Sequence, residues 1–234
     1  MTKSTPFYPQ DRIILALDVP SFEEARYWID RLQDVTFWKV GLELFIADGK
    51  AVLSYLQEKG KRIFLDLKLH DIPNTVARAC QVALRYRVDF LTVHSSGGRA
   101  MLQAAQAVVR GSSTKLLAVT VLTSLTDRDL ADLKVQLSLP EYVNYLAKIA
   151  QELSLGGVVC SPQEVQAIRS GVSTDFLLVT PGIRLPTDQS QDQQRFATPS
   201  QALGAGADYI IVGRSVLQGA NPEAIWANLC AELG

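Results

Sequence analysis

Eight short apolar runs, rich in β-branched residues, recur along this chain and limit its possible folds more than any other feature. They span Ile13 to Leu17, Phe37 to Val40, Ile63 to Leu67, Phe90 to Val93, Leu116 to Val121, Gly157 to Cys160, Phe176 to Val179 and Tyr209 to Val212. Each is nearly continuous in apolar side chains, as in a parallel strand covered on both faces. Between them lie segments with helical spacing, such as Phe22, Ala25, Ile29 and Leu32, or Tyr142, Tyr145, Leu146 and Ile149. Strand and helix alternating through eight runs close most simply into an α/β, single-domain (β/α)8 TIM barrel, with a doubly wound open sheet as the alternative. Helix starts agree. Ser21 before Phe22-Glu23-Glu24 forms an S-x-x-E capping box, Ser161 with Pro162 and Glu164 forms another, and Pro73 suits the first turn of the helix after the third run.

Composition narrows the partners. The 234 residues carry 23 basic and 24 acidic side chains dispersed along the chain, a net charge of -1, which gives no electrostatic footprint for nucleic acid or an anionic membrane surface. Cys80, Cys160 and Cys230 stand far apart and odd in number, so a reducing, cytoplasmic setting is expected instead of a disulfide framework. Met1 to Asp11 has no apolar core of a signal peptide, and no later run is long enough to span a membrane. Residues 1–11 are expected to form a tail and residues 12–234 the barrel, with a small-molecule partner.

In such a barrel the carboxyl ends of the strands build the site. Polar residues collect there: Asp18 after the first run, Lys39 in the second, Asp66 and Lys68 at the end of the third, His94 after the fourth, and Thr123-Ser124 after the fifth. Thr180-Pro181-Gly182-Ile183-Arg184 follows the seventh run and Gly213-Arg214 the eighth. The stretch Asp66-Leu67-Lys68-Leu69-His70-Asp71 is the densest, and residues two apart on a strand share a face, so Asp66 and Lys68 point together. An exposed strand end carrying a structural ion pair would read the same way. Lys39, flanked by apolar residues, needs a counter-charge, and Asp66 is the natural one. His94 reads as a structural residue, and no His/Cys/carboxylate spacing resembles a metal site. Gly182 and Gly213 permit close backbone approach to an anion beside Arg184 and Arg214, where barrels commonly hold phosphate. The long polar interval Arg184 to Pro199 is expected to be a functional loop.

Taken in order, these residues resemble the bacterial-type orotidine 5'-phosphate decarboxylase family over essentially the whole chain. The match runs through Leu15-Ala16-Leu17-Asp18, Lys39-Val40-Gly41, Phe64 through Thr75, Val93-His94, Leu122-Thr123-Ser124, Thr180 through Arg184, Asp192-Gln193 and Val212-Gly213-Arg214. The resemblance implies cofactor-independent decarboxylation of orotidine 5'-phosphate to UMP by a homodimer with shared sites. It casts Lys68 as the acid that protonates C6, with Asp66 and Lys39 in the same charged array. Asp71 and Thr75 would come from the opposite subunit, Asp18 and Lys39 would meet ribose hydroxyls, and Thr123-Ser124 the pyrimidine edge. Pro181 would line the pocket, Gln193, Gly213 and Arg214 would hold the 5'-phosphate, and Arg184 would begin the closing loop. Two other readings stay open: a Mg²⁺-dependent sugar-phosphate aldolase or decarboxylase of the same barrel superfamily, and a non-catalytic nucleotide-phosphate sensor. The first carries a metal-binding carboxylate where this chain has Lys39, and the second has no use for Asp66, Lys68 and Asp71 together.

Overall fold

The computed structural model describes residues 8–185 and 197–233. Eight parallel strands close into a barrel in sequence order: β1 (Ile13–Ala16), β2 (Phe37–Val40), β3 (Arg62–Leu69), β4 (Phe90–His94), β5 (Lys115–Val119), β6 (Gly157–Val159), β7 (Leu177–Thr180) and β8 (Tyr209–Val212), with β8 pairing back onto β1. The helices are α1 (Phe22–Arg31), α2 (Leu42–Glu58), α3 (Pro73–Leu84), α4 (Arg99–Val109), α5 (Asp127–Asp132), α6 (Leu139–Glu152), α7 (Val165–Gly171), α8 (Pro199–Gly204), α9 (Arg214–Leu217) and α10 (Pro222–Glu232). No helix among the described residues is long and apolar enough to cross a membrane.

Two cores explain why the strands are apolar throughout. Ile13, Leu15 and Leu17 face outward into the large cluster beneath the helices, while Ile14 and Ala16 face the barrel interior with Phe37, Phe64, Phe90 and Val179. The interior is therefore a packed core rather than a pore. Its aromatic members meet edge to face, Phe37 and Phe90 at 5.0 Å and Phe90 and Tyr209 at 5.1 Å between centroids. The Arg62 guanidinium lies 3.9 Å from the Phe37 ring centroid and pairs with Asp89 at 3.1 Å, so the charge at the foot of β3 is both stacked and neutralised. Burying each of these rings contributes about 1.5–3 kcal/mol.

Local expectations held in part. Ser21 caps α1, its side chain accepting from the Glu24 N–H at 3.3 Å, and Pro73 opens α3 at its first turn. At Ser161 the expected box forms half of its pattern without starting a helix. The Glu164 carboxylate accepts from the Ser161 N–H at 2.8 Å, yet the intervening residues are a turn and α7 begins only at Val165. On α6 the buried face centres on Val143, Leu146, Ala147 and Ala150, whereas Tyr145 is 51% exposed. Tyr142 and Tyr145 lie at the margin of that face, the first partly buried and the second exposed. Most of the expected tail and of the 184–199 interval, with Gln193, lies outside the described residues. The interval's described ends are tied together: Arg184 N donates to Ala197 O at 2.9 Å, and Ala197 N donates to Gly182 O at 3.1 Å.

Gly157 on β6 packs directly against the neighbouring strand. A Cβ there would stand 2.2 Å from the Leu177 carbonyl oxygen of β7, a backbone atom that cannot step aside without opening the pairing. Gly157→Ala is expected to destabilise the fold by about 1–3 kcal/mol through overpacking. Urea unfolding checks this, and an unchanged midpoint would contradict the packing described.

Candidate active site

The upper end of the barrel interior changes from apolar to charged along three adjacent strands. Lys39 continues the inward face of Phe37 on β2, and Asp66 that of Phe64 on β3, so the aromatic core forms the floor on which the charges stand. Asp18, just past β1, reaches the same place. The four groups form an alternating row. Lys39 Nζ donates to Asp18 Oδ1 at 2.9 Å and lies 3.7 Å from Asp66 Oδ2, and Lys68 Nζ donates to that same Oδ2 at 2.8 Å. The expected Lys39–Asp66 pairing is therefore present, but Asp18 is the nearer partner of Lys39.

Asp66 and Lys68 do not share a face by simple strand pleating. The β3–β4 register shifts between Leu65 and Leu69, and Lys68 takes φ 49°, the left-handed region that a non-glycine residue enters only under constraint. Bulges of this kind re-aim a side chain. Here Lys68 remains partly exposed to the cavity while Asp66 and Lys39 are buried.

Burial alone would disfavour both buried charges, and the neighbours reverse that. Desolvation pulls the Lys39 ammonium down, but the Asp18 and Asp66 carboxylates outweigh it and hold its pKa above the ordinary value. For Asp66, desolvation pushes up, and the Lys39 and Lys68 charges with hydrogen bonds from Lys68 and Thr92 bring the net result below the usual carboxylate value. Both side chains are therefore charged at neutral pH. A divalent cation on Asp66 would have to displace or face two ammonium groups.

These residues open onto a cavity of about 270 Å³ lined by nine of the expected side chains or backbones: Asp18, Lys39, Asp66, Lys68, Thr123, Pro181, Arg184, Gly213 and Arg214. Gly182 at φ 78° makes the turn after β7, a conformation that suits glycine. Gly213 takes φ -149° and ψ -99°, and its small size spares a contact with Ala16 Cβ, 3.2 Å from where a Cβ would stand. Ser124 is exposed and outside the lining, as are Asp71 and Thr75. Asp71 accepts from the Ile72 N–H at 2.6 Å, just before α3. His94 meets His70, ring centroids 5.5 Å apart, and burial followed by the charge of His70 lowers its pKa.

Sequence reasoning missed two neighbours. Cys160 lines the cavity, but burial first and the Glu164 charge second push its pKa up, which keeps it an inert thiol. Thr92 on β4 is fully buried. Its Oγ1 donates to Asp66 Oδ1 at 3.0 Å and accepts from the Lys68 N–H at 2.8 Å. An ordinary β-former within an apolar run gives no alarm, and the only signal was its placement on the inward face two residues beyond Phe90.

Comparison with known proteins gives a consistent neighbourhood. Residues 11–229 match the model of the "Orotidine 5'-phosphate decarboxylase / HUMPS family". A protein named orotidine 5'-phosphate decarboxylase from Gloeothece citriformis is 51% identical over 226 residues, covering 95% of this chain and 97% of the relative. One of the same name from a Nostoc species is 52% identical over 231 residues, covering 95% and 97%. The crystal structure of orotidine 5'-phosphate decarboxylase from Lactobacillus acidophilus superposes with a TM-score of 0.84 at 38% identity, over 95% of this chain and 98% of that one.

Replacing Asp66 should expose the balance of the row. Asp66→Asn leaves Lys39 with Asp18 alone and Lys68 without its carboxylate, so a loss of about 3 kcal/mol in stability is expected at neutral pH. Because the folded-state pKa of Asp66 lies below 3.8, the carboxylate's contribution is complete above that value and lost as pH falls through the lower folded one. The difference between wild type and variant in urea unfolding should thus stay constant from neutral pH to about 4 and narrow only below. A gap that closes near pH 6, or none at all, would contradict the pairing.

Proposed function

The chain belongs to the orotidine 5'-phosphate decarboxylase / HUMPS family, and from that membership we propose that it releases CO2 from orotidine 5'-phosphate to leave UMP, a carboxy-lyase step of pyrimidine biosynthesis. The observation that carries this reading is the Asp18–Lys39–Asp66–Lys68 row at the cavity floor. Family membership alone leaves the sugar-phosphate chemistry open. Lys39 occupies strand two where the Mg²⁺-dependent branch carries a metal-binding carboxylate, and relatives near 50% identity carry the decarboxylase name.

The chemistry follows from where charge develops. Breaking the C6–carboxylate bond leaves its electron pair on C6, and CO2 departs. With no cofactor to delocalise that pair, the site must supply a preorganised positive group there. Lys68 Nζ is that group. It stabilises the developing carbanion, then gives its proton to C6, and the neutral amine takes a proton back from solvent. Asp66 holds the ammonium in place at 2.8 Å, so little reorganisation is needed as charge moves.

The remaining roles follow the cavity. Asp18 and Lys39 meet the ribose hydroxyls, Thr123 the pyrimidine edge and Pro181 the wall beside it, while Ser124, outside this lining, reaches the pyrimidine edge only if its segment moves inward. Gly213 and Arg214, with Gln193 outside the described residues, hold the 5'-phosphate, and Arg184 stands at the base of the loop that closes on it. Phosphate binding remote from C6 supplies energy for closure and for excluding water.

Asp71 and Thr75 complete the site of a second subunit in a homodimer. Both stand exposed outside their own cavity, and Ile72 between them is 67% exposed. Leu42 and Ile46 on the first turns of α2, at 50% and 79% exposure, add apolar surface of the kind that subunit contacts cover. A carboxylate brought within about 4 Å of the substrate carboxylate raises the ground state by roughly 4 kcal/mol at an effective dielectric near 20. If relieved on CO2 loss, that is about three decades of rate, which supplements the stabilisation by Lys68.

Loss of orotidylate absorbance tests the reaction. Chelator-treated protein should turn over with EDTA present, and Lys68→Ala should lower turnover by on the order of 10³-fold or more while still binding UMP. Dependence on added Mg²⁺, or substantial turnover by Lys68→Ala, would overturn this reading. For the shared site, inactive Lys68→Ala and inactive Asp71→Ala chains are mixed and exchanged. Activity should return in heterodimers holding one intact site, and demonstrated exchange without activity would refute it.

A further inference from the structure

Between two regular pairings, Leu65 with Leu91 and Leu69 with Val93, β3 passes through Asp66, Leu67 and Lys68 while β4 offers only Thr92. The excess chain bulges β3 and turns Lys68 to φ 49°. In an unbroken ladder the Lys68 N–H would meet a carbonyl of β4. Here its acceptor is the Thr92 hydroxyl, at 2.8 Å. That hydroxyl has one proton to give and gives it to Asp66 Oδ1, at 3.0 Å. A single oxygen therefore joins the backbone of the proposed proton donor to the carboxylate that holds its ammonium. Thr92 has 0% exposure, so water cannot substitute while the threonine is in place. It is outside the cavity lining.

We propose that Thr92 is a positioning residue for the decarboxylation: its hydroxyl fixes the left-handed Lys68 backbone and orients Asp66, and thereby aims the Lys68 ammonium. The inference rests on the decarboxylase reading for its kinetic test. The geometry also predicts an activity-independent signal, slow exchange of the Lys68 amide proton.

Three variants separate hydroxyl from shape. Thr92→Val keeps the shape and loses the hydroxyl, Thr92→Ser keeps the hydroxyl and loses a methyl group, and Thr92→Ala loses both. The expected order in kcat is wild type and Ser together, with Val and Ala lower by on the order of 10-fold to 100-fold. KM should change less than about threefold, because the phosphate contacts are untouched. In parallel, NMR-detected exchange of the Lys68 amide should be slow in wild type and Ser and at least about tenfold faster in Val and Ala. A role in packing alone predicts the opposite order, with Val best preserved. Val within about threefold of wild type in both readouts, or Ser falling as far as Ala, overturns the proposal. Should Val not fold, Ser against Ala still isolates the hydroxyl. Should wild type fail to decarboxylate orotidylate, the functional reading falls while amide exchange still decides whether Thr92 holds the bulge.

Discussion

The Asp66 carboxylate is the interaction on which the rest of the site depends. Buried at the top of the barrel interior, it accepts from Lys68 Nζ and Thr92 Oγ1 and faces Lys39 Nζ at 3.7 Å. An unpaired carboxylate there would be strongly disfavoured, and without it the buried Lys39 ammonium would keep Asp18 alone. The two buried charges, Lys39 and Asp66, are tolerable because their partners are present. This mutual dependence keeps the row in one geometry and gives the Lys68 ammonium, the proposed proton donor, a fixed direction.

The same carboxylate links the architecture to the chemistry. Phe37, Phe64 and Phe90 fill the barrel below, which denies the charged layer any downward relaxation and presents it to the cavity above. Helices α2 and α3 pack into the outer core with β3, so β3 is held on both faces while it bulges. Strain at Lys68 is thus carried by a closed parallel barrel, where displacing one strand would disturb two neighbours.

Much of this was legible in the sequence because parallel strands buried on both faces write long apolar runs. The runs at Phe37–Val40 and Tyr209–Val212 match their strands residue for residue. The run at residues 63–67 fell two residues short at its carboxyl end, since a strand that turns charged looks like a strand that ends; β3 continues to Leu69, which pairs with Val93 beyond the bulge. Asp18, Lys39, Asp66 and Lys68 announced themselves as charges at the ends of apolar runs. The local backbone did not: left-handed Lys68 has no signature in residue types, nor does Gly157, whose need for glycine arises from Leu177 across the sheet. The Ser161 pattern misled because a carboxylate accepting a backbone N–H stabilises a turn as readily as a helix start.

Asp66 holds Lys68 in a left-handed bulge, and in the proposed reaction this brings its ammonium to the carbon that loses the carboxylate. A crystal structure of the protein with UMP bound tests this most directly. In that complex Lys68 Nζ should lie within about 3.5 Å of C6 and still on Asp66, with Lys68 at positive φ and the phosphate against Gly213 and Arg214. A nucleotide bound with C6 turned away from Lys68, or a Lys68 released from Asp66 with an ordinary negative φ, would contradict it.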